Sequence, residues 1–146
     1  MCWLTVRNRL TTRDRALFWG YTGDSLFMFC RNSIESSDHI YSLCSFTQGI
    51  WERVMHIYLV NNPLYCWDGV IDGGIRELQT RNFRASIHNL ALAATVYYVW
   101  LQRNARIYKG HIKPEEGIFF LISRLKKVLY YPLSGILKQG CNFVVR

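Results

Sequence analysis

Half of the 146 residues are apolar and 15% are aromatic, which excludes a disordered chain and supplies material for a core. The net charge of +8 is uneven: residues 1–73 carry six Lys and Arg against seven Asp and Glu, whereas residues 74–146 carry twelve against three. Five irregularly spaced cysteines, no charged-then-apolar leader at MCWLTVRNRL and a longest apolar run of only twelve residues (90–101) argue against a secreted disulfide scaffold or a membrane span. They predict a soluble protein of the nucleus or cytoplasm with reduced thiols.

The predicted elements are helical throughout. Thr11 or Thr12 caps a short helix over TRDRALFW, with Asp14 in its first turn and Gly20 ending it. Residues 21–36 read as irregular. Ser36 or Ser37 then caps a stretch holding Asp38 and His39. A helix follows through FTQGIWERVMHIYLV, with Ile50, Trp51, Val54, Ile57 and Tyr58 on one face and Gly49 weakening its start. The turn signals NNP and DGG mark residues 61–84 as a linker. From about Arg84 to Tyr108 the spacing of Ile87, Leu90, Ala91, Ala94, Tyr98 and Leu101 predicts one long helix stopped by Gly110. Pro114 begins the next, with Glu115 and Glu116 in its first turn, the stripe Phe119, Ile122, Leu125 and Leu129, and Pro132 as its end. The expected organisation is thus mainly α: a small module over 1–60, a linker over 61–84, a basic helical hairpin over 85–132 and a tail over 133–146.

One stretch carries metal chemistry. FMFCRNSIESSDHIYSLC places Cys30, His39 and Cys44 at the spacing of three zinc ligands. The same residues also suit a core in which the cysteines are small buried hydrophobes. Cys66 is the other sulfur within reach, across a helix and a turn.

The surrounding residues narrow the reading. RLTTRDRALFWG, then CRNSIESSDHIYSLCSFTQGIW, then YVWLQRNARI resemble three ordered blocks at the C-terminal end of plant non-LTR (LINE-type) retrotransposon reverse transcriptases, in their zinc-binding region. Leu10, Thr12, Asp14, Arg15, Trp19 and Gly20 carry the first block. Cys30, Glu35, Ser36, Asp38, His39, Cys44, Phe46 and Trp51 carry the second, and Tyr98, Trp100, Arg103, Asn104, Arg106 and Ile107 the third. The resemblance implies a C-x2-C-x8-H-x4-C ligand set whose first cysteine is Phe27 here, and a chain that starts inside the first block. A zinc knuckle with one ligand missing is expected to bind zinc poorly, with the Phe27 ring filling the gap.

Polymerase chemistry needs clustered aspartates, and the five here (Asp14, Asp24, Asp38, Asp68, Asp72) are scattered among caps and turns. Neither a phosphate-binding G-x-x-x-x-G-K loop nor a G-x-S-x-G elbow occurs. With the resemblance, these absences imply a non-catalytic, retrotransposon-derived protein. It would bind RNA or single-stranded DNA weakly and salt-dependently through Arg103, Arg106, Lys109, Arg124, Lys126 and Lys127. The alternative is a regulatory module recruited to bind another protein. Trp19, Trp51 and Trp100 each lie beside an apolar helical stripe, which predicts core packing over stacking on bases.

Overall fold

A computed structural model describes residues 4, 5, 7, 9–58, 67–79, 82–111 and 113–125. The chain is mainly helical. Helix α1 (Arg13–Phe18) leads into a hairpin-like loop and a π-helical turn (His39–Leu43). Three longer helices follow: α2 (Ser45–Tyr58), α3 (Trp67–Gln79) and α4 (Phe83–Lys109). A further helix, α5, covers residues 115–125.

The start of α1 shows how closely the first module is knitted. Thr12 precedes the helix in an extended conformation, but its hydroxyl makes no cap bond and is buried without a partner. The cap comes instead from Glu35. Its Oε1 accepts from the Arg13 N–H at 3.1 Å, and its backbone carbonyl accepts from the Asp14 N–H at 3.1 Å. Two of the helix's orphan donors are therefore satisfied by a residue 22 positions away. Gly20 ends α1 at φ +89°, a left-handed conformation that glycine adopts freely.

Residues 25–35 double back on themselves. Leu26 and Ile34 form an antiparallel bridge, Phe27 N–H donates to the Ser33 carbonyl and Glu35 N–H to that of Ser25. The Arg31 N–H closes the tip onto the Phe27 carbonyl, with Arg31 itself at φ +50°. The Ser36 hydroxyl accepts from the His39 N–H at 3.1 Å, the cap expected at this position.

The expected linker holds a helix. Trp67, Val70, Ile71 and Gly74 fall at i, i+3, i+4 and i+7 along α3, a helical period that the DGG signal obscured. Gly74 serves a close approach and not a turn: a Cβ there would stand 3.0 Å from Leu92 and 3.1 Å from Asn89 on α4. The Trp67 ring stacks on Tyr41 at 4.6 Å, which ties α3 to the π-helical turn.

Local signals at α4 are borne out. The Asn82 side chain caps it by accepting from the Arg84 N–H, and Gly110 closes it at φ +65°. The Pro114 carbonyl accepts the first helical bonds of α5. The expected face is borne out at Ala91, Ala94, Ile87 and Tyr98, but the buried face of α4 is wider than that stripe. Val96, Val99, Trp100 and Arg103 are buried, while Leu90 and Leu101 are exposed. The polar members Thr95, Gln102 and Arg103 complete that face, so a stripe drawn through apolar residues alone misses it.

Module and helices share one core. Phe27, Tyr41, Ile50, Val54, Trp67, Val99, Ile118 and Ile122 belong to a single buried cluster. Helix α5 lies on α2, where the Tyr58 hydroxyl donates to the Ile122 carbonyl at 3.5 Å and Arg53 pairs with Glu115 and Glu116 at 3.6 and 3.5 Å. The end expected at Pro132, the tail and Lys126 and Lys127 lie outside the described residues.

Candidate metal centre

The loop hairpin and the π-helical turn bring Cys30, His39 and Cys44 together. Their donor atoms all lie within 4.8 Å of one another, and His39 Nε2 stands 3.1 Å from Cys30 Sγ. The Asn32 N–H points at the same sulfur at 3.5 Å, a favourable contact for a thiolate ligand. Among the described residues this is the one His, Cys, Asp or Glu group with metal-binding geometry. Cys30 is half-buried and Cys44 buried, and both are free thiols.

Tetrahedral zinc with these donors has ligand–ligand edges of roughly 3.5–3.8 Å, so the trio fits three corners with small movements. Among the described residues the group offers no fourth protein donor. Phe27, three residues before Cys30, is fully buried and has no donor atom. Its ring meets His39 edge-on at 5.6 Å and Phe29 edge-on at 5.0 Å, and Phe29 in turn stacks on Phe46 at 4.4 Å. The aromatic ring joins the core at the position that the resemblance would give to a cysteine. Cys30, His39 and Cys44 are thus the residues that would hold a zinc ion, which would supply a cross-link between the hairpin and the start of α2.

Burial holds the His39 imidazole below its ordinary value of 6.5, and burial, with Cys30 adding to it, pushes the Cys44 thiol up. Both shifts favour neutral side chains. For His39 the sign follows directly. Below about pH 6.5 the unfolded chain takes up a proton that the folded chain resists, so stability falls as pH drops toward the depressed folded value. Urea midpoints measured from pH 7.5 down to 5 are expected to fall, and His39→Gln to flatten that part of the profile. An equally steep profile in His39→Gln contradicts this assignment.

Beside the trio lies an ion pair that the sequence did not reveal. Glu35, between Cys30 and His39, is 0% exposed, and Arg103 on α4 is 5% exposed. Arg103 Nε donates to Glu35 Oε2 at 3.1 Å, and its Nη2 donates to Oε1. The remaining donors reach Asn104 Oδ1 at 2.9 Å and the Thr11 carbonyl at 3.5 Å, and the guanidinium lies 4.6 Å from the Trp100 ring. Arg106 covers the Phe29 ring at 5.0 Å. Two of the expected phosphate-binding residues are therefore turned onto the knuckle. Arg103 is corrected from a surface cation to a buried clasp because Glu35 needs a counter-charge away from water. Lys109 is exposed, and Arg124 is exposed beside Phe120 at 6.0 Å.

The tryptophans divide. Trp100 is buried, and Trp51 is half-buried with its indole N–H donating to the Tyr41 carbonyl at 2.8 Å. Trp19 is 66% exposed, contrary to the expected core position, because α1 ends one residue earlier and turns its last residues outward.

Residues 1–51 match the family model for zinc-binding in reverse transcriptase. The matched segment holds α1, the hairpin, the trio and the first half of α2. This zinc-binding region is an accessory part of reverse transcriptases and not their catalytic core. The third sequence block lies beyond the match, yet Arg103 and Arg106 dock it onto the matched segment. No curated protein and no solved structure matches the chain. Among the described residues, no helix is long and apolar enough to cross a membrane.

Proposed function

We propose that the chain is a non-catalytic, retroelement-derived module that binds RNA or single-stranded DNA in the nucleus or cytoplasm. The observation that carries this reading is the match of residues 1–51 to an accessory region of enzymes that work on nucleic acid. The strongly basic second half supports it, since cations displace counterions from phosphates. Lys109 and Lys113 are exposed at the α4–α5 turn, and Arg124 is exposed on α5, so these remain the phosphate contacts once Arg103 is assigned to the fold.

Anisotropy of a labelled single-stranded oligonucleotide tests the reading. For about three neutralised phosphates, affinity falls roughly 20-fold between 50 and 200 mM salt. Lys109→Gln combined with Lys113→Gln is expected to lower both the affinity and the salt slope while leaving the fold intact. Absence of binding at the lowest salt overturns the reading and favours a protein partner.

A further inference from the structure

The outer end of α1 carries a surface that neither the metal centre nor the core uses. Phe18 is 89% exposed, Trp19 66% and Tyr21 49%. Gly20, at φ +89°, reverses the chain so that the Tyr21 N–H returns to the Ala16 carbonyl at 2.9 Å. The three aromatic residues thus fall within four positions at one helix end. The Tyr21 ring lies over Gly23, where a Cβ would collide with it at 2.0 Å. Together these rings expose on the order of 400 Å² of mostly apolar surface, the size at which surface patches mark binding sites.

The charge around this patch selects its occupant. Residues 1–34 contain five arginines and two aspartates. Both aspartates are engaged: Asp14 accepts from the Arg15 N–H at 2.8 Å, and Asp24 pairs with Arg13 at 3.3 Å. Arg15 lies one helical turn before Trp19, and Arg9 and Arg31 are exposed. Exposed aromatic residues beside cations, with Asp24 paired and arginines in excess over aspartates, match a strand that offers both unpaired bases and phosphates.

We propose that Phe18, Trp19 and Tyr21 form a stacking platform for unpaired bases of single-stranded nucleic acid, with Arg15 as its phosphate contact. This rests on the nucleic-acid reading above and adds base contacts in the matched N-terminal segment to the phosphate contacts proposed for the second half.

Titration of the full chain with a single-stranded oligo(dT) or oligo(U), read by anisotropy and tryptophan fluorescence, tests it. Trp19→Ala and Phe18→Ala are each expected to lower affinity roughly 5- to 150-fold with an unchanged salt slope and unchanged circular dichroism. Trp19→Phe keeps a stacking ring, so affinity stays near native while most of the fluorescence quenching disappears. Native affinity in both alanine variants overturns the platform and leaves the nucleic-acid reading standing. No binding by the native chain at low salt overturns that reading, and the platform with it. If Trp19→Ala instead abolishes self-association without changing oligonucleotide affinity, the face is a protein contact and the proposal falls.

Discussion

Glu35→Ala is expected to destabilise the fold by about 3–5 kcal/mol, because it leaves the Arg103 guanidinium buried without its counter-charge. It also removes the side-chain acceptor for the Arg13 N–H at the start of α1. Arg103→Met is expected to cost a similar amount from the other side, by stranding a carboxylate that is 0% exposed. Against a typical total stability of about 5–15 kcal/mol, either change brings the chain close to unfolding at room temperature. Urea unfolding should show a lower midpoint at an unchanged slope. Glu35→Met with Arg103→Met should recover much of the loss, because an apolar pair of similar volume carries no stranded charge. Single variants within about 1 kcal/mol of native would mean that water reaches the pair and that α4 is not clasped to the knuckle in this way.

The second large effect belongs to Phe27. Phe27→Ala should cost about 3–5 kcal/mol, since a fully buried ring that touches His39 and Phe29 leaves a cavity. Phe27→Cys opens a comparable cavity but supplies the fourth thiolate. Its metal-free form should be weaker than native, and added zinc should restore stability. Shared over four ligands, the roughly 10–16 kcal/mol of a structural zinc site gives about 3 kcal/mol for one thiolate, near a hundredfold in affinity. Thermal unfolding of Phe27→Cys with and without zinc reads both terms. Equal stability with and without zinc would show that position 27 does not face the trio.

Features written in a few neighbouring residues were legible in the sequence. The Ser36 cap and the Pro114 start depend on bonds that span four residues or fewer, and the Gly110 stop on the left-handed conformation of one glycine. The trio was legible for a related reason: ligand spacing within residues 30–44 constrains a short loop. Elements that depend on distant partners were not legible. Glu35 and Arg103 stand 68 residues apart, and nothing local distinguishes a buried arginine from a solvated one at a helix end. Yet Arg103 follows Val96, Val99 and Trp100 on one face, and that position on an otherwise buried stripe was the available signal. Helix α3 was hidden because glycine serves both turns and close helix approaches, and only the neighbouring α4 side chains decide which. The exposure of Trp19 likewise depends on where α1 ends, and Gly20 marks that end one residue too late to place the indole.

Residues 30–44 hold three donors suited to zinc, Cys30, His39 and Cys44, and the ring of Phe27 is buried three residues before the first of them. The zinc-to-protein ratio after mild chelation, measured alongside circular dichroism, tests most directly whether three donors hold the ion. Native protein should retain well under one zinc per chain with its helical signal intact, while Phe27→Cys retains about one. One zinc per native chain that resists chelation, and whose loss in Cys30→Ser also unfolds the helices, would contradict the account.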